Sequence, residues 1–93
     1  MNPERFKPRE KINVENTEFL AKLRIDIIDR VRTKYPDKLG DEEFKDFLDK
    51  FEKGEIKTYI DSWTGDAFAW VAKQEYKLDA DEYEKARELL FTD

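Results

Sequence analysis

The side chains with which this chain could do chemistry are one-sided in type: carboxylates abound, hydroxyl nucleophiles are scarce, and imidazole and thiol are missing. Of 93 residues, 23 are Asp or Glu and 18 are Lys or Arg, none is His or Cys, and Ser62 is the single serine. With no imidazole to deprotonate Ser62, nucleophilic catalysis of the Ser-His-acid or Cys-His kind is excluded. Without thiolates or imidazoles there is no structural zinc site, disulfide framework or CxxC redox pair. Gly40, Gly54 and Gly65 lie too far apart to build a phosphate-cradling loop. The chain is read as a non-enzyme that needs no cofactor.

The carboxylates invite two further tests. Asp61 to Asp66 has the outline of a calcium loop, but Trp63 stands where the second oxygen ligand belongs and Lys73 lies near the position of the closing glutamate. No metal site is expected there. Glu42, Glu43, Asp46 and Asp49, and likewise Asp79, Asp81, Glu82 and Glu84, follow helical spacing and read as solvated faces. A solvated carboxylate keeps an ordinary pKa and makes a poor acid at neutral pH, which removes glycosidase-type chemistry.

Charge is distributed unevenly. Residues 1–35 carry nine Lys/Arg against six Asp/Glu, whereas residues 36–93 carry nine against seventeen, a net −8. An acidic surface of that density attracts a basic partner and can imitate a phosphate array. Asp46, Asp49, Glu84 and Glu88 are the candidate contact residues on the acidic faces. Arg24 joins them from the first helix. It projects into the middle of the apolar arc formed by Phe19, Leu20, Leu23, Ile27, Ile28, Val31 and Tyr35, so it must either snorkel out or meet an acid. An ion pair with a carboxylate from another helix is expected, and contact with an anion or partner is the functional alternative. Arg5, Lys7, Arg9 and Lys11 alternate and would share one side of an extended arm, supporting an alternative reading as a nucleic-acid-associated module that uses the arm and first helix.

Punctuation and periodicity define the helices that carry these groups. Pro3 and Pro8 favour an extended N-terminal arm over residues 1–15, part of which packs through Ile12 and Val14. The first helix starts at Asn16 or Thr17 and stops at Tyr35, ahead of Pro36. The second opens at Gly40-Asp41-Glu42-Glu43, stops at Gly54, and presents Phe44, Phe47, Leu48 and Phe51 as its apolar stripe. Between Glu55 and Lys77, the residues Ile56, Tyr59, Ile60, Trp63, Ala67, Trp70 and Val71 stay within one arc. One helix kinked at Gly65 is expected, with both tryptophans in the core; two short helices with Asp66 as the new N-cap are the alternative. The last helix begins at Asp79, whose partner Glu82 completes a capping box, and turns Tyr83, Ala86 and Leu90 inward with Phe91 flanking.

These features give an all-α chain: a compact four-helix domain over residues 16–93 with an extended N-terminal arm. No window approaches the length of a membrane span, and the protein is read as soluble and cytoplasmic. Its size leaves homodimerisation open. The function expected is that of a small acidic inhibitor or adaptor acting on a basic protein partner.

Overall fold

In the computed structural model, which describes residues 12–60 and 62–92, four α-helices enclose one apolar core. The first, α1, spans Thr17–Lys34 and is capped by Asn16, whose side chain accepts the Phe19 amide at 3.1 Å. It ends where Pro36 forbids a further turn. Leu23, Ile27, Ile28 and Val31 are fully buried along it, and α2 and α3 pack against this face. α1 is the centre of the fold.

A 3-10 stretch, Pro36–Gly40, leads into α2, Glu42–Glu52. The Asp41 carboxylate caps α2 by accepting the amides of Glu43 at 2.9 Å and Phe44 at 3.4 Å. Phe44, Leu48 and Phe51 are buried, which leaves the charged residues outside. After the helix Gly54 takes φ +77°, a left-handed conformation that glycine adopts without strain.

The next segment departs from the sequence expectation. Residues 55–62 are not helical. They run through a two-residue strand β1, Thr58–Tyr59, and a turn closed by Ser62 N donating to the Tyr59 carbonyl at 3.1 Å. Helix α3 then spans Trp63–Trp70, with Ser62 as its N-cap in place of the alternative at Asp66, and a π-helical stretch Val71–Glu75 prolongs it. Gly65 is no kink. It lies in the first turn of α3, fully packed against the chain that has just reversed: a Cβ there would stand 1.6 Å from the Ile60 carbonyl oxygen.

Helix α4, Ala80–Leu90, carries the expected capping box between Asp79 and Glu82. Beyond it Phe91 does not continue the helix. It turns extended, forms strand β2 (Phe91–Thr92), and pairs in parallel with β1, Thr58 facing Phe91 and Tyr59 facing Thr92. Its ring is buried against Phe51 and Phe68, with centroids 5.7 and 5.0 Å away. Phe91 is thus part of the core.

Ile12 and Val14 pack on the helical core, and Val14 is buried. The Ile12 amide donates to Glu82 Oε2 at 2.7 Å, and Lys85 pairs with Glu15 at 3.1 Å, so residues 12–15 are fastened to α4. Arg5, Lys7, Arg9, Lys11 and Asp61 lie outside the described residues. No described helix is long and apolar enough to cross a membrane.

Candidate functional site

Asp46, Asp49, Glu84 and Glu88 are all exposed, on the solvent sides of α2 and α4. They are less independent than their spacing suggests. Asp46 pairs with Lys50 and Asp49 with Lys53, each at 3.0 Å and four residues along α2, while Glu84 pairs with Arg87 at 3.2 Å. The Asp49 hydrogen bond, reinforced by its charge, holds the Lys53 ammonium above its ordinary pKa. Such pairs are weak and salt-screened, so they leave a net acidic face while fixing where its charges stand. Asp46, Asp49 and Glu84 each find a cation three or four residues along their own helix, Lys53 standing at the C-cap of α2, and no ion pair links the α2 set to the α4 set among the described residues.

Arg24 does not form the expected pair with a carboxylate from another helix; no ion pair or hydrogen bond of its guanidinium is found among the described residues. It lies against Gly54 instead, its Cζ 3.3 Å from where a Gly54 Cβ would stand. There it meets the negative end of the α2 dipole, a favourable place for a cation. Burial lowers its pKa from the ordinary value, yet a guanidinium stays charged throughout the accessible range.

The two tryptophans correct a second expectation, because neither is a core residue. The buried face of α3 is Thr64, Gly65, Ala67 and Phe68, continued by Val71 and Ala72, while Trp63 and Trp70 are each 38% exposed. A cation covers each indole. Arg30 Cζ lies 3.9 Å from the Trp70 ring centroid and Lys38 Nζ lies 4.9 Å from that of Trp63. Small residues on the inner face let α3 approach α1 closely, and the bulky rings are left at the margins. Spacing alone held the signal, since 64, 67, 68, 71 and 72 follow helical periodicity as well as the aromatic set does.

Trp63 lines a mainly apolar groove of about 310 Å³. Phe44 and Phe47 share its floor, Thr58 and Ser62 contribute hydroxyls, and Lys38, Asp41 and Glu43 stand around it. The Phe44 ring meets the indole edge-on at 5.0 Å and 85°, and Tyr35 approaches at 6.4 Å and 66°. The Ser62 hydroxyl is engaged throughout: it donates to the Tyr59 carbonyl at 2.7 Å and accepts from Thr58 Oγ1 at 3.0 Å and the Gly65 amide at 3.4 Å. This hydroxyl organises the entrance to α3.

Two partly buried polar contacts escaped the sequence because their partners are remote in the chain. Glu82 is 4% exposed, and besides capping α4 it holds the Ile12 amide seventy residues away. Tyr76 donates its hydroxyl to Asp26 Oδ2 and lays its ring against Phe19 at 5.5 Å. Burial first, then the hydrogen bond and charge of Asp26, push the Tyr76 phenol above its ordinary pKa. The folded state thus favours the neutral phenol. The associated stability is complete below the unfolded value of about 10 and is lost as pH rises above it. Urea midpoints measured at about pH 8 and about pH 11 should show this decline, and it should be shallower in Tyr76→Phe than in the native chain.

In comparisons with protein-family models, curated proteins and solved structures, nothing matches this chain.

Proposed function

We propose that this chain is a non-catalytic protein-interaction domain, an inhibitor or adaptor whose acidic helix faces meet a partner with a basic surface. The observation that carries this reading is the exposure of Asp46, Asp49, Glu84 and Glu88 on α2 and α4, within a stretch of net charge −8. Their summed field steers a cationic partner and adds to the rate of encounter more than to the final contact. Supporting it, the single serine is committed to capping α3.

Reversing Asp46, Asp49, Glu84 and Glu88 to Lys tests the reading on a partner captured by affinity and then purified. Helical circular dichroism is expected to persist with a modestly lowered melting temperature, because each of three substitutions places like charges three or four residues apart on a helix. Partner affinity should fall at least about tenfold, mainly through slower association, and the loss should shrink as salt is added. Reversing Arg5, Arg9 and Lys11 to Glu should change little. Binding that survives the acidic reversal and fails with the arm reversal would refute the proposal in favour of the nucleic-acid alternative.

A further inference from the structure

We propose that the groove between the N-terminal ends of α2 and α3 is an arginine pocket, taking one arginine side chain of the basic partner with its guanidinium on the Trp63 ring and against the Asp41 and Glu43 carboxylates. This rests on the protein-interaction reading and gives it an anchor point. A volume of about 310 Å³ is at the small end of ligand sites, room for one long side chain and too little for a folded element. The floor of Phe44, Phe47 and Trp63 suits the aliphatic stem of such a side chain.

The chain itself shows what the ring accepts. Lys38 Nζ stands 4.9 Å from the Trp63 centroid, so an ammonium already occupies the indole face. Lys38 is exposed on the 3-10 stretch and has no ion pair among the described residues, which makes it a displaceable occupant. The N-terminal ends of two helices would ordinarily repel a cation, but Asp41 neutralises one of them by accepting two amides through Oδ1. Glu43, exposed beside it, adds a second carboxylate. An arginine outcompetes Lys38 because its planar group stacks on an aromatic face while its forked donors reach carboxylates at the rim.

The test uses the peptide Ac-Ala-Arg-Ala-Arg-Ala-amide, with a citrulline version as the uncharged control of the same shape. Trp70→Phe leaves Trp63 as the only fluorescent indole, and the Trp63 indole N–H resonance of the unmutated protein provides a second measurement that needs no substitution. The arginine peptide should shift both signals saturably and the citrulline peptide should not. Lys38→Met should tighten binding about threefold or more by vacating the ring, whereas Lys22→Met, which removes the same charge from the exposed side of α1, should give a clearly smaller gain. Glu43→Gln should weaken binding about threefold. If Lys38→Met does no more than Lys22→Met, or if the peptide binds without moving the Trp63 signals, the pocket is refuted while the acidic-face reading stands. The reverse pattern, a pocket that titrates as described and a captured partner indifferent to the acidic reversal, would uphold the pocket and refute the broader reading.

Discussion

Gly65→Ala is expected to leave the chain without a stable native state. The added methyl would stand 1.6 Å from the Ile60 carbonyl oxygen, 2.3 Å from its carbon and 2.9 Å from the Ile60 Cα, all backbone atoms that no rotamer change can move aside. Relief requires the 59–62 turn to separate from the first turn of α3, which breaks the Ser62 cap and strains the β1 pairing with β2. A loss above about 4 kcal/mol approaches the whole stability of a domain this small, about 5–10 kcal/mol. Gly40→Ala is the matched control, because nothing lies within 4 Å of its added methyl. Urea unfolding followed by circular dichroism decides the matter: a native-like midpoint for Gly65→Ala would mean that the close approach of the turn to α3 is wrong.

Phe68→Ala should be the most damaging truncation of an aromatic side chain, at about 3–5 kcal/mol. Its ring is fully buried, stacks on Tyr83 at 5.0 Å and meets Phe91 at 5.0 Å, so its removal opens a cavity where α3, α4 and β2 come together. Trp63→Ala and Trp70→Ala remove larger side chains yet should lose only about 1–2 kcal/mol each, since part of each indole is already in water. The ordering is the informative result. Thermal melts of the three variants that put either tryptophan above Phe68 would show that α3 presents its other face to the core.

Features that depend on a few neighbouring residues are legible in the amino-acid order. Asn16, Asp41 and Asp79 cap the helices that follow them, Tyr35 ends α1 ahead of Pro36, and Gly54 terminates α2, because each of these is a contest between backbone groups and side chains within about four residues. The apolar stripes of α1 and α2 were legible for the same reason, with Leu23, Ile27, Ile28 and Val31 on one and Phe44, Leu48 and Phe51 on the other. So was the exposure of the acidic faces, which follows from the high cost of burying an unpaired carboxylate. Glu82, read as solvated with its neighbours, is the exception, buried because the amides of Ile12 and Asp79 satisfy its oxygens.

Which face of α3 is buried is set by packing against α1, because two sets of residues satisfy helical periodicity there. Thr64, Ala67 and Ala72 win over Trp63 and Trp70 by being small. Gly65 looks like a helix breaker when read alone and is instead the point at which a reversed chain passes over α3. The arc drawn through Ile56, Tyr59 and Ile60 matched a helix by coincidence, whereas pairing with Phe91 and Thr92, more than thirty residues on, makes part of that segment extended. Arg24 rests on Gly54, Glu82 holds Ile12, and an aromatic groove opens between the ends of α2 and α3. All three join residues distant in the chain, and such meetings are set by how the helices pack and not by local spacing.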